Sequence, residues 1–190
     1  MTGSPAETRV VPVAPTEIRI AGANPIVRTL HRDPRGFLLE TLHADDQAVD
    51  GKRFRMSYSS LTLPGEYRDR DRWHVHRVQT DRFVVILGEM MLALWDGRPS
   101  SPSRGRLEVV RMAGGPFRGS VEPGDAVTYL VPIPPGVHHC IGNLSTEPFL
   151  LQNFPTELYD AHDEGRVPFV DVPIGSIGRP FSWDLVARPV

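Results

Sequence analysis

The chain reads as an all-β domain, a sandwich or closed barrel, and three observations carry that reading. Short β-prone apolar pieces recur from Glu17 to Phe154. Turn residues separate them, among them Pro64-Gly65, Pro99-Ser100-Ser101-Pro102, Gly114-Gly115-Pro116 and Pro123-Gly124-Asp125. No stretch carries the apolar period of a long amphipathic helix. Many short strands with frequent turns favour such a fold over a helical or doubly wound one.

Taken in order, residues 1 to about 17 are rich in Pro, Thr, Ser and Ala and read as a loose arm or an edge strand. Strands are expected over Glu17–Ile20, Phe37–Leu42, Phe54–Leu63 and Trp73–Val78. Phe83–Leu87 and Met90–Trp95 are apolar segments joined by Gly88-Glu89, the pattern of a hairpin. Leu107–Met112, Ala126–Val131 and Phe149–Phe154 follow, and His138 and His139 open a further strand behind the turn Pro134-Pro135-Gly136. The polar, proline-containing segment 157–190 is expected to wrap against the domain. The organisation expected is an arm over 1–17, a β-domain over 18–156 and a packed extension over 157–190, with no internal repeat.

A chain of 190 residues is long enough to bury a core of its own. Its net charge of -2, with signs interspersed, gives no reason to expect nucleic acid or an anionic membrane as partner. No apolar run is long enough to span a bilayer, and the start lacks the basic and apolar regions of a secretion signal, so a cytoplasmic location is expected. One cysteine, Cys140, rules out an internal disulfide framework; it is expected as a small buried strand residue.

The chemistry concentrates in two short stretches that hold four of the seven histidines. In a strand alternate residues share a face, so His74 and His76 converge while Val75 points away. Of His138 and His139, one must point inward. The pattern H-x-H-x4-E-x6-G followed by P-x-G-x2-H-x3-N is that of the paired cupin motifs. This chain resembles it with His74, His76, Asp81 in place of glutamate and Gly88, then Pro134, Gly136, His139 and Asn143. The resemblance implies a cupin-type double-stranded β-helix, a jelly-roll barrel. It offers His74, His76, Asp81 and His139 as a set for a divalent metal such as Fe, Mn, Ni, Co or Zn, with Gln79 as a substitute or supporting ligand. Without metal, Asp81 reads as an ion-pair partner of Arg77 or Arg82. His138 is expected to face away.

A second resemblance covers nearly the whole chain. Asp33-Pro34-Arg35-Gly36-Phe37-Leu38-Leu39-Glu40 looks like the motif D-x-R-G-x-[FL]-x-E, and Asp96 to Gly105 looks like D-x-R-x-x-S-P-x-x-G. Ile133 to His139 matches I-P-x-G-x-x-H, and Thr156-Glu157-Leu158-Tyr159 matches T-x-x-Y. These are the motifs of the dTDP-4-dehydrorhamnose 3,5-epimerase family, itself a cupin-like jelly roll. The resemblance implies a nucleotide-linked 4-keto-6-deoxy sugar as substrate, with no cofactor required. A histidine base, His74 by position, removes a proton beside the ketone, His139 donates within the pocket and a tyrosine returns a proton on the other face. His76 joins the catalytic group, and Arg35, Phe37 and Glu40 are implied as contacts to the nucleotide diphosphate. A homodimer is implied as well, through an exchanged strand near Arg9 to Val13.

The departures carry information of their own. The family's arginine three residues before the base falls on Asp71, where neighbouring Arg70 or Arg72 could restore a cation through a small shift in the strand; Arg72 is the one taken as a substrate contact. Its enolate-holding lysine falls on Asp81, where a carboxylate would repel a developing oxyanion. Its proton-returning tyrosine falls on Asn153, retained here as a substrate contact; Tyr58, Tyr67, Tyr129 and Tyr159 are the tyrosines left to replace it. Two other readings therefore stand beside the epimerase: a metal-dependent cupin enzyme, a dioxygenase or an isomerase, and a sugar-nucleotide-binding cupin without catalysis.

Overall fold

A computed structural model describes residues 9–48, 55–116 and 122–187. Phe54, the first eight residues of the N-terminal arm and the last three residues of the extension lie outside the described residues. The strands are β1 (Ile26–Asp33), β2 (Gly36–Leu39), β3 (Tyr58–Thr62), β4 (Tyr67–Arg68), β5 (Arg72–His76), β6 (Asp81–Leu87) and β7 (Glu89–Asp96). They continue with β8 (Leu107–Ala113), β9 (Gly124–Ile133), β10 (Val137–Gly142), β11 (Phe149–Asn153), β12 (Glu164–Pro168), β13 (Pro173–Ile174) and β14 (Arg179–Pro180). One antiparallel sheet runs β2-β1-β9-β6-β11-β3 and a second runs β12-β5-β10-β7-β8, with β4 on β10; β13 and β14 form a small ribbon. The expected all-β jelly roll is the fold found.

Residue parity sorts side chains between the two sheets. Phe83 and Val85 of β6, Met90, Leu92 and Leu94 of β7, Ile141 of β10 and Leu151 of β11 fill the inner core. Met91 and Ala93 of β7 point out the other way, where Phe169, Val172, Ile174, Phe181, Trp183 and Val186 cover them. This explains why β6 and β7 read as unbroken apolar runs: both of their faces are buried. The C-terminal segment is tied down by an aromatic chain. Trp73 meets Phe169 at 5.0 Å and Phe181 at 5.1 Å between ring centroids, and Phe181 meets Trp183 at 5.3 Å. Such ring pairs each contribute about 0.5–1.5 kcal/mol beyond area burial.

Three local expectations are corrected. Glu17–Ile20 is no strand: Pro15–Glu17 makes a single 3-10 turn closed by Glu17 Oε2 accepting from Ala14 N at 3.0 Å, and Ile20 anchors in the core. β6 and β7 form no hairpin, because they lie in different sheets. Gly88 instead turns the chain from one sheet to the other at φ 75°, with Gly88 N donating to Gly115 O at 2.9 Å; a Cβ there would stand 2.3 Å from Pro148 O. The third is β1, unmarked in the sequence because charged residues interrupt its apolar pattern; Arg28, buried at its centre, pairs with Asp46. Val10 and Val13, expected in an exchanged strand, bridge to Val186 and Val110 of the same chain.

Two motifs prove to be architectural. Asp96 is fully buried, and its carboxylate accepts from Arg98 Nε at 2.8 Å, Ser101 Oγ at 2.6 Å and Ser103 Oγ at 2.5 Å. The Asp96–Gly105 motif thus knots the β7–β8 connection. Asn143 donates to Thr62 O at 3.1 Å and Glu147 O at 2.9 Å, pinning the loop after β10. Among the described residues no helix is long and apolar enough to cross a membrane.

Candidate active site

The pairing register gathers the predicted residues. His74 of β5 lies directly opposite His139 of β10, and the period of two puts His76 on the same face. Asp81 and Phe83 approach from β6 in the facing sheet. The ring centroids of His74 stand 4.6 Å from His76 and 5.1 Å from His139. A second tie sets this geometry: Gly136, at φ 78°, donates its N–H to His76 O at 2.7 Å, so the turn before β10 is fastened to β5. His138 faces the other way, its ring against Trp95 at 4.7 Å. Cys140 packs in the outer core, and burial pushes its thiol well above the usual range, as expected of a structural cysteine.

Asp81 is the hub. Its Oδ2 lies 3.4 Å from His76 Nε2 and 3.3 Å from His139 Nε2. Its Oδ1 accepts from Gln79 Nε2 at 2.8 Å and Asn153 Nδ2 at 2.7 Å. Burial alone would raise the Asp81 pKa, but His139 and His76 hold it below the ordinary carboxylate range. The expected pairing with Arg77 or Arg82 is replaced by this contact across the sheets. His76 is flanked on its other side by Asp163, Nδ1 to Oδ2 at 3.2 Å. Burial disfavours its charged form, yet the Asp81 and Asp163 carboxylates outweigh that and raise its pKa. A neutral His76 accepts from the Gln79 amide 3.0 Å away; a charged one turns that nitrogen's proton toward Asp81.

His74 is the opposite case. Burial, then the neighbouring His139 and His76, lower its pKa to about 3, so its ring is neutral over the physiological range. Its Nε2 is buried without a hydrogen-bond partner and lies 3.6 Å from Glu164 Oε1. His139 Nδ1 faces Val137 O at 3.3 Å, while its Nε2 completes no hydrogen bond.

Both rings open on a cavity of about 220 Å³ between the sheets. Its walls include Tyr58, one of the four tyrosines the sequence leaves as candidates, together with Arg68, Asp69 and Arg166, which the sequence does not single out. Asp69 carries a left-handed φ of 65° and pairs with Arg166. Nothing local in the sequence marks Asp163, Glu164 or Arg166, which arrive from β12 and the turn before it. Asn153 reaches the site through Asp81. The remaining predicted contacts lie outside the cavity walls. Arg35 is exposed and pairs with Asp33 at 2.6 Å, Glu40 pairs with His43 at 3.0 Å, Arg72 pairs with Asp71 at 2.8 Å, and the Phe37 ring closes against Gly115.

No family model matches the chain. It is 32% identical over 145 residues to a probable low-salt glycan biosynthesis epimerase of Haloferax volcanii, spanning 74% of this chain and 82% of that protein. With the four ordered motifs, that likeness decides the family. The chain belongs to the dTDP-4-dehydrorhamnose 3,5-epimerase family. The dTDP-4-dehydrorhamnose 3,5-epimerase of Sulfolobus tokodaii shares the fold at TM-score 0.60 and 22% identity, over 92% of this chain and 85% of that one. A dTDP sugar isomerase of Desulfovibrio desulfuricans shares it at TM-score 0.65 and 24% identity, over 87% and 92%.

Proposed function

We propose that this member of the epimerase family acts on a nucleotide-linked 4-keto-6-deoxy sugar, abstracting a proton beside the ketone with His74 as base. The observation that carries the reading is the His74 ring, held neutral on the wall of a cavity between the sheets. Removing such a proton leaves a carbanion that delocalises onto the ketone oxygen, and a base must have an open lone pair to begin. His139, which lines the same cavity, is the donor we assign to the enolate oxygen. Arg68 and Arg166, whose guanidinium forks suit a diphosphate, are the cations at the cavity wall. Arg35, Phe37, Glu40 and Arg72, outside the walls of this cavity, stay proposed as substrate contacts beyond it. The test is deuterium uptake at the sugar carbons from heavy water, over a panel of dTDP-, UDP- and GDP-linked 4-keto-6-deoxyhexoses. Uptake is expected with at least one; none with any would reject the reading in favour of a barrel that only binds.

The reading needs no cofactor, but one observation favours a second. With Nδ1 donating to Val137 O, His139 presents a lone pair 3.3 Å from a carboxylate oxygen, which calls for a proton or a cation between them. Ligand nitrogens of His74, His76 and His139 lie within 4.8 Å of one another, and neutral imidazoles with a carboxylate fit a first-row divalent metal. His74, His76, His139 and Asp81 would hold it, and it would polarise the ketone. Elemental analysis of protein purified without chelator or affinity nickel decides: near-stoichiometric metal, lost in His76→Ala, supports this reading, and its absence removes it.

The assembly proposed is a homodimer in the cytoplasm, as a family with exposed sheet edges suggests. Light scattering at working concentration checks it, and a monomer overturns it.

A further inference from the structure

Resting on the epimerase reading above, we propose that Tyr58 is the acid that delivers a proton to the substrate on the face opposite His74. Inverting a carbon requires a proton to leave one face and another to arrive on the other, so base and acid must stand on opposite walls. His74 comes from β5 in one sheet and Tyr58 from β3 at the edge of the other, and both line the same cavity.

The local geometry also suits a donor. The register sets Tyr58 directly opposite Asn153 of β11, where cross-strand side chains share a face. Asn153 Nδ2 donates to Tyr58 Oη at 3.0 Å. That amide cannot turn round, because Nδ2 also donates to Asp81 at 2.7 Å while its oxygen accepts from Arg82 N at 2.8 Å. The hydroxyl therefore receives a hydrogen bond from Asn153, and its own proton is left for another acceptor. An amide thus occupies the place expected for a tyrosine and holds the phenol of the adjacent strand. The other tyrosines are elsewhere: Tyr67 packs on Trp183, Tyr129 against the inner core, and Tyr159 is 72% exposed.

The step balances without a co-reactant. As His74 takes the proton, the C–H electron pair passes into the enolate. Tyr58 then gives its O–H proton to the same carbon from the other face, the O–H pair staying on the phenolate. Water reprotonates the phenolate as the imidazolium releases its proton.

The test uses full-length protein and the substrate that exchanges in wild type, with inversion and deuterium uptake read separately by NMR in heavy water. In Tyr58→Phe, inversion is expected to fall by on the order of 100-fold or more. Uptake with retained configuration is expected to persist, because His74 can return a deuteron to the face it deprotonated. In Tyr58→His, which restores a proton donor to that wall, inversion is expected to recover in part. Tyr58 is 43% exposed on an edge strand, so both variants should keep the fold, and a melting curve verifies it. Inversion at the wild-type rate in Tyr58→Phe overturns the proposal and leaves the epimerase reading intact. Equal loss of uptake and inversion in a folded variant also overturns it, assigning Tyr58 to substrate positioning. Absence of uptake in wild type instead removes the epimerase reading itself.

Discussion

Replacing His74 by alanine is expected to lower deuterium uptake and kcat/KM for the keto sugar by about 10³-fold, within the range a positioned general base supplies. The effect should appear in kcat rather than in substrate affinity, because the ring meets the reacting hydrogen and not the nucleotide. The pH profile gives a sharper check. An unperturbed histidine base loses activity as pH falls through about 6.5. Burial and the two neighbouring rings lower the His74 pKa to about 3. The base thus stays unprotonated well below the ordinary histidine range, and any fall in activity near pH 6.5 must belong to another group. An acid limb at 6.5 that moves with His74 substitutions would contradict the assignment. Glu164, 3.6 Å from Nε2, is placed to receive the imidazolium once the proton has moved.

Asp81→Ala is the substitution expected to cost most stability, about 3–5 kcal/mol in chemical denaturation. The carboxylate is buried and serves two imidazoles and two amides at once. Its removal leaves the N–H groups of Gln79 and Asn153 facing that space without their acceptor, on top of the lost charge pairing. Asp81→Asn keeps the shape and should cost less, while lowering the His76 pKa relative to wild type; NMR titration of the ring reads this directly. The pH dependence has a definite sign. The lowered Asp81 pKa stabilises the fold above the unfolded carboxylate value, about 3.9, and that contribution is lost as pH falls through the folded pKa. The raised His76 pKa contributes fully below about 6.5 and is lost as pH rises through its folded value. The stability difference between wild type and Asp81→Asn should therefore be largest between about pH 4 and 6.5 and shrink on either side. A difference that stays unchanged as pH rises beyond that window would mean that His76 carries no charge dependent on Asp81.

Much of the site was legible because strand periodicity is local. The spacing of His74 and His76 alone puts them on one face, and the turn Pro134-Pro135-Gly136 announces the strand that brings His139. Parity also separates His139 from His138, but only the sheet to which β10 belongs says which one faces inward. Gly88 shows the complementary failure. Two apolar runs about a glycine satisfy the hairpin pattern, yet the chain crosses between sheets there, a choice made by Gly115 and Pro148, residues remote in sequence. The tyrosine question behaved alike. Four candidates were equal in the sequence, and the register of β3 on β11 selected Tyr58.

From its sequence alone the chain was determined to be all-β, to carry paired histidines on a single strand face and to lack the lysine and tyrosine of its family pattern. These follow from residue identity and from a period of two, both local properties. Tertiary structure alone decided that Asp81 joins His76 and His139, that Asp163 and Glu164 stand behind the imidazoles, and that Asn153 holds Tyr58. Those contacts join different strands, and several cross from one sheet to the other. Their geometry depends on strand order and register, which long-range packing sets.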